Sequence, residues 1–123
     1  MKIYESAENY FETIHILKER MGMVRAIDIV NELGFSKPTV SIAMKKFKEN
    51  GYINIDQEGH ITLTPLGQEI ADKTYEKHNI IATLLMSLGV PEKTAYEDSC
   101  RIEHHISDES FDCIKSYWQN HKL

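Results

Sequence analysis

One stretch of this chain admits few folds. Ala26, Ile29, Val30 and Leu33 recur at helical spacing, and Gly34 stops the run. Only Phe35 and Ser36 precede the next helix, whose apolar stripe is Val40, Ala43, Met44 and Phe47. Ser36 is a good N-cap, and Pro38 falls in the first turn, where a missing N–H costs little. Asn50-Gly51 ends that helix, and the period then changes from helical to alternating. Ile53 and Ile55 alternate with Asn54 and Asp56, and Ile61 and Leu63 with His60 and Thr62, on either side of Gln57-Glu58-Gly59. Two short helices joined by a tight glycine turn, followed at once by a hairpin, predict a helix-turn-helix with a wing.

The flanks read as further helices. Ala7, Tyr10, Phe11, Ile14 and Leu17 form a stripe from about Ser6 to Glu19, with Ser6 as N-cap and Gly22 as the stop. Thr64-Pro65 opens a long helix to about Leu88, broken by Gly89-Val90-Pro91. A fifth helix spans about Glu92 to His105. Ser107-Asp108 caps a sixth, with Phe111, Ile114 and Trp118 on one face. The predicted class is mainly α with a small β-hairpin. A winged helix-turn-helix domain occupies 1–70 and a helical metal-binding and dimerisation segment 71–123. Phe111, Ile114 and Trp118 are the dimer-interface candidates, and equally fit an intrachain core.

The formal net charge of −5 argues against a nucleic-acid partner until its distribution is read. Between Arg25 and Lys48, five basic residues (Arg25, Lys37, Lys45, Lys46, Lys48) face two acids (Asp28, Glu32), so this stretch is +3 and the remainder −8. A basic patch on an acidic body binds DNA locally. A recognition helix needs short polar and basic side chains near its start to reach base edges; Ser36, Lys37, Thr39 and Ser41 stand there. Lys45 and Lys46 follow, with Lys48, and suit phosphates. The wing tip carries Glu58 where an arginine would bind DNA, so its contribution is expected to be weak.

Hydrophobic residues make up 41%, enough for a core. No apolar run approaches the roughly 20 residues of a membrane span, and the first residues lack the apolar core of a signal peptide. A cytoplasmic protein with no membrane partner is expected. Two cysteines are too few for a disulfide scaffold; Cys113 reads as a small buried hydrophobe.

Cys100 has a different neighbourhood. In Cys100-Arg101-Ile102-Glu103-His104-His105, positions i, i+3 and i+4 share a helix face, which groups Cys100, Glu103 and His104. Thiolate, carboxylate and imidazole together suit a borderline transition metal, not Ca²⁺ or Mg²⁺. A fourth ligand must come from elsewhere, with His78 or Glu12 as candidates. His105 points about 100° away from its neighbour, and His15, His60 and His121 read as surface or structural residues.

The chain resembles the metal-dependent repressors that include the diphtheria toxin repressor and the manganese transport regulator. The resemblance rests on Glu8-Asn9-Tyr10-Phe11-Glu12-Thr13-Ile14, on Leu63-Thr64-Pro65-Leu66-Gly67, on His78, and on the Cys100–His105 block. It implies a homodimer that binds a palindromic operator in double-stranded DNA when loaded with metal, and no enzymatic activity. Glu103, His104 and His78 match ligand positions of both branches, Cys100 matches the iron branch, and Glu12 matches a carboxylate of the manganese branch. Asn9 stands where the iron branch has methionine and the manganese branch aspartate. Ala82 and Tyr96 replace ancillary-site ligands of the iron branch, so an iron-type second site is not expected.

The resemblance thus implies one hybrid site per subunit, formed by His78, Cys100, Glu103 and His104 with Glu12 and Asn9, whose thiolate favours Fe²⁺ with Mn²⁺ next. A cation held by residues of both segments would fix the spacing of the two recognition helices of a dimer. Competing readings are an interaction module with a structural metal, a DNA-binding protein without metal control, and a metalloenzyme, for which no separate nucleophile or phosphate-cradling loop is present.

Overall fold

The computed structural model describes residues 5–121. Its elements follow in the order α1 (Glu5–Met21), α2 (Ala26–Leu33), α3 (Lys37–Glu49), β1 (Ile53–Ile55), β2 (Ile61–Leu63), α4 (Pro65–Ser87), α5 (Glu92–Ile102) and α6 (Asp108–His121). They divide into two compact units, one up to Asp72 and one from Lys73 onward.

In the first unit, the predicted stripes face inward. Phe11, Ile14, Ile29 and Val40 have no exposed surface, and Tyr10, Leu17, Met44 and Phe47 are buried with them. Phe11 meets Phe47 edge-on at 4.8 Å between ring centroids and lies 5.3 Å from Tyr52. Tyr10 closes the cluster against Phe47 at 5.5 Å. Each such aromatic pair adds about 0.5–1.5 kcal/mol beyond area burial, and together they fasten α1 to α3 and the start of the wing.

The caps set the boundaries. Gly34 takes a left-handed conformation (φ +73°) and donates to the Val30 carbonyl at 2.9 Å, ending α2. The Ser36 hydroxyl accepts from the Thr39 N–H at 3.2 Å and starts α3. The strands pair antiparallel, with Asn54 opposite Thr62. Val24 extends this ladder, its carbonyl accepting from Ile61 N–H at 2.7 Å. At the tip the Asp56 carboxylate accepts from the N–H groups of Glu58 and His60 at 2.9 and 2.8 Å. The His60 N–H, then that of Glu58 and the His60 ring, hold this carboxyl below its ordinary value against a smaller effect of burial. Thr64 caps α4, accepting from Gly67 N–H at 3.2 Å while donating to the Gly51 carbonyl at 2.6 Å. Gly67 is required there, because a Cβ would run into the main-chain oxygen of Tyr52.

In the second unit, Ile81, Ala82, Ala95, Ser99 and Phe111 are buried. Asp108, in the first turn of α6, accepts from Lys73 at 2.8 Å and Lys77 at 3.1 Å, and Lys115 reaches Glu76 at 2.7 Å. Three ion pairs therefore join α4 and α6.

Four sequence expectations need correction. Helix α1 starts at Glu5, so Ser6 lies inside it and is not its cap. Helix α5 stops at Ile102, short of His105, because the N–H groups of His105 and Ile106 both turn back to the Ile102 carbonyl. Phe111 is only 2% exposed, under the Lys77 ammonium at 5.8 Å, so it is core of its own unit and not a free dimer face. Cys113 is exposed, not buried, because it sits about 160° around α6 from Phe111.

Candidate metal centre

Helix α4 carries His78 and helix α5 carries Cys100, with Glu103 one residue beyond the end of α5. The N–H of Glu103 still bonds to Ser99 O at 2.9 Å, so its backbone remains helical and the i, i+3 relation to Cys100 survives. Several of the buried residues on these two helices are small. Ala82, Ala95 and Ser99 have no exposed surface. The Ser99 hydroxyl donates to the main-chain carbonyl of His78 at 2.5 Å, which ties the backbone of one candidate ligand to the residue preceding another.

Three donor groups converge there. His78 Nδ1 is 2.9 Å from Glu103 Oε2 and 3.7 Å from Cys100 Sγ, and ligand atoms of all three lie within 4.8 Å of one another. Metal–donor bonds of ~2.0–2.3 Å around a tetrahedral ion place donors roughly 3.3–3.8 Å apart. His78 and Cys100 stand at that spacing, and His78 and Glu103 slightly inside it. The Cys100 side is open to solvent and the Glu103 side is closed, its side chain 0% exposed.

Glu103 supplies the test of fit. Its Oε1 has no hydrogen-bond partner among the described residues; His104 Nε2 lies 3.3 Å away, outside hydrogen-bonding geometry. A buried carboxylate flanked by two imidazoles is costly unless a cation completes it. Sulfur, nitrogen and oxygen together fit a borderline divalent transition metal.

The other predicted ligands fall differently. His104 is outside the three-residue cluster and adjoins Glu103, its Nε2 3.3 Å from Glu103 Oε1. Glu12 is 6% exposed and Asn9 half-buried, both on α1 in the first unit. His105 is exposed. His15 and His121 have structural partners, Gln68 and the Tyr117 carbonyl. At the wing tip Asp56, Glu58 and His60 also bring ligand atoms within 4.8 Å, although their hydrogen bonds already close the turn.

The candidate DNA contacts Ser36, Lys37, Thr39, Ser41, Lys45 and Lys46 are all exposed. Ser36 and Thr39 hydroxyls bond each other at 2.8 Å, so the cap orders two of the candidate contacts. Sequence reasoning passed over two features. Lys77 is 6% exposed and paired with Asp108, a burial that the polar letter conceals. Ile42, in the middle of α3, is 68% exposed; a helical wheel shows it opposite Val40 and Met44.

Comparison with known proteins covers both units. The profile of the iron dependent repressor N-terminal DNA binding domain matches residues 2–61, and that of the metal binding and dimerisation domain matches residues 64–122. The transcriptional regulator MntR of Salmonella typhimurium is 33% identical over 117 residues, 95% of this chain and 74% of that protein. An uncharacterised HTH-type transcriptional regulator of Methanocaldococcus jannaschii is 34% identical over 96% of both chains. Among solved structures, the manganese regulator SloR matches the whole chain with a TM-score of 0.79 at 27% identity. A manganese-dependent transcriptional repressor in complex with manganese matches 90% of it with a TM-score of 0.82 at 25% identity. The chain spans 57% and 51% of the length of those two structures.

Proposed function

Because the chain belongs to the iron-dependent repressor family, whose relatives are transcriptional regulators and not enzymes, we propose that it represses metal-uptake genes by binding a palindromic operator as a homodimer when loaded with a divalent metal, Fe²⁺ before Mn²⁺. The observation that carries this reading is the convergence of His78, Cys100 and Glu103 around a buried carboxylate. The bound ion supplies positive charge there. Cys100 contributes the soft donor that tilts the site toward Fe²⁺. Glu103 contributes negative charge with water excluded, and His78 a nitrogen donor whose backbone Ser99 holds in place. His104 adjoins this set through Glu103. The resemblance assigns Glu12 and Asn9 to the same ligand set.

In this reading residues 1–70 form the DNA-binding domain and 71–123 the metal-binding and dimerisation domain. Ser36, Lys37, Thr39 and Ser41 meet base edges, and Lys45 and Lys46 meet phosphates. Ile114 and Trp118 remain the dimer candidates. Operator binding places the protein in the cytoplasm.

Anaerobic titration with Fe²⁺ and with Mn²⁺ tests the ligand set. Removing a supporting residue of a metal site costs about 10–100-fold in affinity, so loss of a direct ligand costs at least about tenfold. Cys100→Ala is expected to weaken Fe²⁺ by that factor and Mn²⁺ by less. Unchanged affinity for both ions overturns the assignment.

A further inference from the structure

We propose that Ile42 reads the C5-methyl group of a thymine in each half of the operator, an assignment that rests on the DNA-binding reading above. Helix α3 is held by Val40, Met44 and Phe47, all buried. At 3.6 residues per turn Ile42 lies about 160° around the helix from Val40 and Met44. It therefore projects from the middle of the face turned away from the core. At 68% exposure it is the most exposed large apolar side chain of the first unit among the described residues, and the only exposed one on α3. Its neighbours on that face, Pro38, Thr39, Ser41, Lys45 and Lys46, are all exposed.

An isoleucine about two-thirds exposed adds little to the packing of its own unit. It cannot donate or accept a hydrogen bond, and on a helix bordered by lysines it faces a polyanion. The major groove offers an apolar side chain one distinctive partner, the thymine methyl, which marks A·T pairs apart from G·C and fixes their orientation. Lys45, Lys46 and Lys48 meanwhile supply affinity that carries no sequence information. The ordered Ser36–Thr39 hydroxyl pair stands at the start of the same helix. Ile42 thus adds an apolar element to a readout otherwise built from hydroxyls and amines.

The test uses the full chain saturated with Mn²⁺. Duplexes are first selected from a random pool with the wild-type protein. Each thymine of the preferred duplex is then replaced by uracil, which removes only the methyl group, and binding is measured by fluorescence anisotropy at fixed salt. One position per half-site is expected where uracil weakens wild-type binding about fourfold, the factor for one buried methyl(ene)-sized group. Ile42→Ala should weaken binding to the thymine duplex by a similar factor and no longer distinguish thymine from uracil there. Because Ile42 is exposed, this variant retains the fold. A selected duplex at which no thymine-to-uracil change separates wild type from Ile42→Ala overturns the assignment while leaving operator binding intact. Failure to enrich any duplex removes the DNA-binding reading and this assignment with it.

Discussion

Glu103 is the residue on which the candidate site turns. It is 1% exposed, and one of its oxygens faces His78 while the other has no hydrogen bond among the described residues. Glu103→Gln keeps the shape and removes the charge. Metal affinity should fall by more than about tenfold, since a direct ligand outweighs the supporting residues whose loss costs about 10–100-fold. Thermal stability in chelator should hold or rise, because no buried carboxylate is left to offset; calorimetry with and without metal reads both. The spacing of Cys100 and Glu103 was legible in the sequence because i, i+3 geometry survives to the last turn of a helix. His104 lies one residue further on, with its Nε2 3.3 Å from the other Glu103 oxygen. The letters of Phe111 and Cys113 say apolar and small, but which side of α6 meets α4 is decided by packing.

At the scale of elements, the junction between wing and α4 carries the sharpest predictions. Thr64 both caps α4 and ties it to Gly51, so Thr64→Ala should cost about 0.5–2 kcal/mol in denaturant unfolding. Gly67→Ala should cost about 1–3 kcal/mol, because its Cβ meets backbone that has no rotamer to move. The cap was legible from Thr-Pro; the close approach at Gly67 depends on Tyr52, fifteen places earlier in the chain, and no local pattern reveals it. The α4–α6 clasp predicts a pH effect. Hydrogen bonds from Lys73 and then Lys77 hold the Asp108 carboxyl below its ordinary value, outweighing a smaller opposing effect of burial. Its stabilising contribution is therefore complete above the unfolded carboxyl value of about 3.9 and is lost as pH falls through the lower folded value. Asp108 is 61% exposed, so the effect stays within about 1 kcal/mol. Asp108→Asn should lower the melting temperature at pH 6 and approach wild type near pH 2.

For the whole molecule, the order of periodicities carried the fold. Helical stripes, glycine stops and hydroxyl caps agree with one another through the first unit, and each local preference supports the same winged arrangement. In the second unit the breaks at Gly89-Val90-Pro91 and Ser107-Asp108 were readable, but core and subunit interface use the same residue types there. Burial separates them by removing Phe111 from the free surface and leaving Ile114 and Trp118 half-buried. The acidic total with a basic recognition helix suits a regulator whose grip on DNA is local. If metal tightens DNA binding, linkage requires that DNA tighten metal binding by the same factor. The most direct measurement is anaerobic fluorescence anisotropy of the wild-type protein on a labelled fragment from upstream of its own gene, at fixed salt, with Fe²⁺, with Mn²⁺ and with chelator. Tight binding is expected with either metal, stronger with Fe²⁺, and little with chelator. Equal affinity in chelator would contradict metal control of DNA binding.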